Sequence, residues 1–595
     1  MSGTQENRAH ASISRRKFAA RAAGAATVAL GGASFLAPRV FGATTASRGA
    51  SNRRVAVLGG GVGGLTAAQE LAERGFTVTV YERKALGGKA RSIPVPDTGA
   101  GGRPDLPGEH GFRFFPGFYQ NVPDTMRRIP APGGTVKDNL VTATRVLMTW
   151  NGTKFDFPAS LRSSLLPDDL LKIFRNMAGT RVPPRDAALF ASKMVAFLTS
   201  GPQRRMGQWE ATSYADFIRA DTLSQAAREM LLEMVTSSLV AAKPERANTR
   251  TIGLMAEAFL YSTMGMGPYT DPDQLLNAPT NEAWIDPWVA HLRSLGVQFK
   301  VGSTITGLSC DGRRITGAQA ADASGAALTV DADWYVLAVP VERASRLLSP
   351  EILAADPDLD RLRSLTTDWM NGVMIYTTKK MPISHGHVTY AGQPWALTSI
   401  SQAQFWNRDF SRYGDGKVRD CLSVDLSNWN APGILYGKPA KQCSRQQIVD
   451  EVVAQIRKSL PDGDSILPDS AIHSWFVDPA ITGEGTADVS NDEPLLINTT
   501  SSWNLRPEAT TAIENFFLAS DYVRSNINLA TMEGANEAGR AAANGILAAS
   551  GTAEPPAEIA AMYAPPVMKP LWAIDDLLYQ RGLPNQFDII APDAA

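Results

Sequence analysis

One stretch constrains the fold of this chain more than any other. It is Val55-Ala56-Val57-Leu58-Gly59-Gly60-Gly61-Val62-Gly63-Gly64-Leu65, running on to Val78-Thr79-Val80-Tyr81-Glu82-Arg83. The apolar run Val55 to Leu58 predicts a buried parallel strand, and Leu65 to Arg74 an amphipathic helix. Between them the glycines fit G-x-G-x-x-G at Gly59, Gly61 and Gly64, with Gly63 in the same loop. Gly59 permits the tight turn, Gly61 lets a pyrophosphate approach the backbone, and Gly64 lets the helix pack close to the strand. The helix N-terminus then faces the phosphates with its free N–H groups. A second predicted strand, Phe76 to Tyr81, ends at Glu82, where a carboxylate can bind both ribose hydroxyls. Glycines alone would describe any strand–turn–helix. With strand, glycines, helix, second strand and terminal acid in order, the reading is a dinucleotide site.

The residues after Glu82 narrow the choice of dinucleotide. Arg83 and then Gly87-Gly88-Lys89-Ala90-Arg91 resemble a segment of FAD enzymes in the amine oxidase and phytoene desaturase superfamily. The resemblance implies that Gly88 brings backbone against the cofactor and that Arg83, Lys89 or Arg91 sits near its phosphates. It also implies non-covalent FAD as the cofactor.

The same resemblance extends along the chain. Glu109-His110-Gly111-Phe112-Arg113-Phe114-Phe115 and on to Asn121 is similar to a stretch of ζ-carotene desaturases that passes beside the flavin ring. There the pattern's second histidine is replaced here by Arg113, so His110 and Arg113 become the candidate catalytic residues. A cationic Arg113 near the flavin would stabilise negative charge on the reduced ring. Thr304-Ile305-Thr306 resembles the return to the cofactor domain, with the main chain near Ile305 meeting the adenine. Phe516 to Tyr522 and then Thr531-Met532-Glu533-Gly534-Ala535 resemble the superfamily's closing motif. It implies that Asp521 binds the ribityl or pyrophosphate end. The N–H groups at Met532 to Gly534 would face the flavin pyrimidine from a helix N-terminus. The motifs also resemble those of hydroxysqualene dehydroxylase-like flavoproteins.

A chain of 595 residues exceeds what one hydrophobic core supports, so several units are expected. The fold class read from the pattern is α/β: a Rossmann-type, glutathione-reductase-like FAD domain with an inserted α+β substrate domain and a helical cap. The FAD domain is assigned to 53–125, 281–345 and 511–550, the helical cap with the first part of the substrate domain to 126–280, and the second part of the substrate domain to 346–510. Helix-like stretches are Leu161 to Met177, Ala187 to Leu198, Ser213 to Val240 and Ile252 to Thr263. Strands are expected at Val373 to Thr377, Val388 to Tyr390 and Leu422 to Leu426, and a helix at Ser444 to Leu460. Trp369, Trp395, Phe405, Trp406, Trp429, Trp475, Phe476 and Trp503 make this segment aromatic-rich, in part a lining for a long apolar tunnel. The tail 551–595 carries no readable signal.

Residues 1–46 are set apart as a targeting segment. Ser14-Arg15-Arg16-Lys17-Phe18, then the Ala- and Gly-rich run Ala22 to Leu36, resembles a twin-arginine export signal. Export of a folded protein suits a chain that closes around its cofactor first. The net charge of −1 would become about −6 on its removal, and no basic block argues for nucleic-acid binding. Cys310, Cys421 and Cys443 show no metal or redox spacing.

The reaction read from these features is desaturation or dehydrogenation of a long apolar substrate, of carotenoid, isoprenoid or lipid type. Hydride passes to flavin N5, and the neighbouring carbon loses a proton. The loop Asn526-Ile527-Asn528-Leu529-Ala530-Thr531 lacks the aromatic that many amine oxidases use to cage an amine. The alternatives are an amine oxidase and a flavoprotein without net redox, such as an isomerase or dehydroxylase. Oxygen or a quinone as electron acceptor, and a peripheral membrane contact, are left open.

Overall fold

The computed structural model describes residues 53–161 and 181–588. The export-signal segment and nearly all of the expected helix Leu161 to Met177 lie outside the described residues.

At the centre is a five-stranded parallel sheet in the order 298–301, 77–82, 54–58, 334–337 and 516–518. Val55 to Leu58 are buried, as a central parallel strand covered on both faces requires. Three distant parts of the chain thus meet in one sheet. The helix Val62–Ala72 leaves the glycine loop and packs along the helix Met532–Ser550. Gly63 and Gly539 make that approach possible: a Cβ on Gly63 would overlap Ala519 O, and one on Gly539 would overlap Gly63 O. A buried ion network around Glu70, reaching Arg74, Arg128 and Arg540, ties the two helices to the short helix Asn121–Arg127.

The second layer is a seven-stranded sheet in the order 472–477, 371–377, 420–426, 397–401, 386–391, 145–150 and 153–158. Its last two strands correct the reading of 126–280 as a helical cap. They form a hairpin turned by Asn151 and Gly152, both at positive φ (45° and 75°). Asn-Gly between alternating residues is a strong hairpin signal, obscured here by the helix-like patterns around it. One face of this sheet packs on the helix Arg445–Ser459, which Ser444 and Gln447 cap reciprocally. Val373, Leu422, Val424, Ile448, Val452 and Ile456 fill that core. The other face looks toward the cofactor sheet.

The helical part of the cap comprises Pro184–Leu198, Tyr214–Ile218, Thr249–Thr263 and a π-helical run, Arg228–Ser238. The single helix expected from Ser213 to Val240 is broken at Arg219, which ends its first turns in the left-handed region (φ 58°). The tail is also more than an unreadable extension. Residues Lys569–Gln580 form a helix whose Asp575 sits 2.9 Å from Arg204, both fully buried, while Trp572 Nε1 donates to Leu198 O.

The aromatic-rich segment does not build a tunnel. Trp395 and Trp429 lie in the sheet–helix core, Trp406 stacks on Phe410, and Trp503 is held between Arg250 and Arg524. None of the eight rings lines the large cavity. Composition reports how many rings a segment carries, not which face of the sheet they occupy.

Candidate active site

A cavity of about 580 Å³ runs between the two sheets and under the cap. One end is built by the glycine loops. Gly59 holds φ 120°, with its α-hydrogen side closed by the Ala338 carbonyl. Gly61 differs from its neighbours: a Cβ there would meet only Gly88 Cα, at 3.8 Å, and would otherwise stand in the cavity. Gly63 and Gly64 close the helix against other backbone, so their glycines serve packing first. Glu82 organises the turn, accepting from Gly60 N at 2.8 Å and Lys84 N at 2.7 Å. It lines the cavity with lone pairs to spare for hydroxyl groups.

The basic residues of the second glycine segment line the cavity but do not hold free charge. Arg83 and Lys84 bind Asp492 at 2.8 and 2.7 Å, Arg91 pairs with Glu493, and Lys89 donates to Pro494 O. Burial opposes ionisation of Asp492, yet Lys84 and Arg83 hold its carboxyl down to about 2. Neutralising a pyrophosphate therefore falls to the N-terminus of the helix Val62–Ala72. Arg346, missed by the sequence reading, is exposed on the same wall as Ile305 and has no ion pair among the described residues. Ile305 itself lines the cavity beside a bulge in its strand pairing.

From the third stretch come Ala519, Ser520 and Asp521, held by Arg506, which donates to the Asp521, Tyr522 and Val523 carbonyls. Met532 begins the long helix, and Thr531, Met532 and Ala535 line the cavity. The Glu533 side chain serves the fold. Its carboxylate turns away and accepts from the N–H groups of Gln120, Asn121 and Val122 at 2.7–2.9 Å, capping the helix Asn121–Arg127. Gly534 is where the expectation of N–H groups facing the flavin needs correcting, since Gly534 N donates to Thr531 Oγ1 as part of the helix cap. What this turn offers a cofactor is main chain at Met532 and Glu533, not the Glu533 side chain.

The 110–119 loop brings His110, Phe112, Arg113, Phe114 and Phe118 to the cavity. His110 Nδ1 lies 2.5 Å from Asp478 Oδ2, and Asp478 also accepts from Asn371 Nδ2. Burial would raise the Asp478 carboxyl, but His110 beside it holds it below the ordinary range. Arg113 donates to Gly111 O and leaves its buried Nε without a partner. Its charge is shared with two buried acids, Glu109 and Asp425, whose carboxyls burial raises and Arg113 lowers. Asp425 is pushed up to about 7. It is a second residue that the sequence reading missed. The strand Asp420–Leu426 alternates, with Leu422, Val424 and Leu426 in the core, so Asp425 on the opposite face was a readable signal.

Leu239, Ile252, Met255, Phe259, Met370 and Leu529, which pack together in one hydrophobic cluster, line an apolar arm of the cavity.

Parallel sheet, glycine loops, acid-ended second strand and two helix N-termini at one cavity define a dinucleotide-binding oxidoreductase fold with a separate substrate layer. The chain belongs to the flavin containing amine oxidoreductase family, whose model matches residues 62–547. It is 23% identical to a 15-cis-phytoene desaturase of Synechococcus elongatus, over 83% of this chain and 96% of that protein. It is 24% identical to a zeta-carotene desaturase of Arabidopsis thaliana (82% and 84%) and to a carotenoid phi-ring synthase of Streptomyces griseus (83% and 87%). Among solved structures it superposes on a putrescine oxidase with a TM-score of 0.55 at 12% identity, covering 83% of this chain and 99% of the other. A cyclohexylamine oxidase from Brevibacterium oxydans gives 0.54 at 12% identity (83% and 98%). The protein is an FAD-dependent oxidoreductase. The open space at Gly61, Glu82 at the second strand end and the helix start at Met532 fit that cofactor.

Proposed function

We propose that this enzyme dehydrogenates a long apolar substrate, of polyene, isoprenoid or lipid type. The observation that carries this is the apolar arm, together with a 526–531 loop that contributes Ile527, Leu529 and Ala530 to the lining and no ring. When bound, FAD supplies the two-electron acceptor. The chain's own residues bind and orient the substrate. Met255 and Met370 give an adaptable apolar surface. Phe112, Phe114 and Phe118 restrict water at the reacting end. Arg113 already faces the two buried acids of this wall, Glu109 and Asp425, so an entering ammonium group would have to compete with a resident cation for them. The carotenoid desaturases among the relatives support the same substrate class.

Solvent extraction of the purified protein after anaerobic incubation with candidate chains, followed by mass spectrometry, tests the reading. The expected product is the chain lighter by two hydrogens. An aldehyde formed from an amine, with every apolar chain returned unchanged, would favour an amine oxidase instead.

We also propose that Arg15 and Arg16 direct export by the twin-arginine route. Changing both to Lys keeps the charge and removes the guanidinium pair. Retention of the double variant in the cytoplasm is expected, and undiminished export would overturn the proposal.

A further inference from the structure

One wall of the cavity departs from the apolar lining. Asp425 pairs in register with Thr398 on the neighbouring strand, and Thr398 pairs with Thr389, two residues from His387. The period of two places Asp425, Thr398 and His387 on one face of the sheet. All three line the cavity, with Arg113 beside them.

None of these groups is fully satisfied by the protein. Asp425 Oδ1 and Arg113 Nε are buried without hydrogen-bond partners. The Thr398 hydroxyl and the His387 ring nitrogens have none among the described residues. A single orphaned polar atom is unusual in a folded interior, and four side chains on one wall call for a ligand that pairs with them. The charge states narrow its chemistry. Burial lowers His387, set between the rings of Phe112 and Phe114 at 5.4 Å from each, to about 4, so it is neutral. Burial raises Asp425 to about 7, with Arg113 opposing. The wall thus offers donors from Arg113 and Thr398 and acceptors from His387 and Asp425. An ammonium ion would be met by Arg113 and a carboxylate by Asp425. An uncharged oxygen can use both kinds of partner.

We propose that Asp425, Thr398, His387 and Arg113 bind a hydroxyl or carbonyl oxygen carried by an otherwise apolar substrate. The preferred substrate is therefore an oxygenated chain rather than a plain hydrocarbon. This rests on the apolar-chain reading and specifies its substrate further.

The test uses the holoenzyme and a matched pair of probes, farnesol and farnesene, titrated anaerobically by perturbation of the flavin spectrum. Farnesol should bind about 10- to 100-fold more tightly, the range for a buried hydrogen bond to a charged or strongly polar group. Thr398→Val, which removes an unpartnered hydroxyl without changing shape, should cut that preference several-fold while flavin content stays at the wild-type level. Asp425→Asn should also reduce it. Equal affinity for the two probes overturns this proposal and leaves the apolar-chain reading standing. Silence from both probes overturns both. Full preference in both variants, or loss of flavin instead of preference, also overturns it, since the row would then not contact the substrate.

Discussion

Gly61 and Gly87 form an isolated parallel β-bridge, so the two glycine loops of the sequence are one structure in space. This contact separates glycines that serve the cofactor from glycines that serve the fold. Gly61 has ordinary φ (−77°) and open space where a side chain would go. Gly61→Val should therefore give folded, colourless protein, with native circular dichroism and flavin absorbance absent. Gly63→Val drives a side chain into Ala519 and Ala535 backbone and should fail to fold stably. Full flavin content in the Gly61 variant would contradict the assignment of that loop. Acid should release the flavin from wild-type protein, as non-covalent binding requires.

Glu533 is expected to matter for stability. It holds three main-chain N–H groups and the Asn121 amide in a buried cap. Glu533→Ala leaves those donors unpaired and should cost roughly 3–5 kcal/mol, measured by denaturant unfolding. A cost below about 1 kcal/mol would mean that the cap is replaced by water.

The tail helix is pinned by one buried ion pair. Asp575→Ala leaves Arg204 charged and uncompensated, a loss on the order of 3–5 kcal/mol for such a pair. Limited proteolysis should then cut first between Pro566 and Asp588. An unchanged cleavage pattern would show that the helix is held by its other contacts.

Asp425 gives a pH dependence with a definite sign. Burial raises its carboxyl from the ordinary value of 3.8 to about 7, so the folded state binds the proton more tightly than the unfolded chain. The resulting stability is complete below the unfolded value and is lost as pH rises through the folded one. Asp425→Asn stays neutral throughout. Its stability relative to wild type should climb between about pH 4 and pH 8, by on the order of 4 kcal/mol. A difference that does not vary with pH would contradict the raised value.

What the sequence made legible was the part written locally. Val55 to Glu82 is a continuous run in which strand, turn, helix and acid each have a short-range cause, and the structure places them as expected. The capped helix Arg445–Ser459 was legible for the same reason. Glu533 was not, because its partners are more than 400 residues away in sequence. Nothing in Met532-Glu533-Gly534 says that the side chain turns toward Asn121. The acids that take up Arg83, Lys84 and Arg91 lie equally far off, at Asp492 and Glu493. The tryptophans failed differently: their number was visible, but the face each occupies depends on register across seven strands. The hairpin at Asn151-Gly152 and the acid at Asp425 carried local signals, which the stronger helical patterns and the apolar alternation around them obscured.

The most direct measurement is anaerobic stopped-flow reduction of the bound flavin by a panel of apolar chains and a panel of primary amines and amino acids. The apolar arm strips water from whatever enters, and an ammonium group reaching Asp425 must compete with Arg113, which already faces that acid. One or more polyenes, isoprenoids or lipids should bleach the flavin, and the amines should not. Rapid bleaching by an amine, with no response to any apolar chain, would contradict dehydrogenation of an apolar substrate.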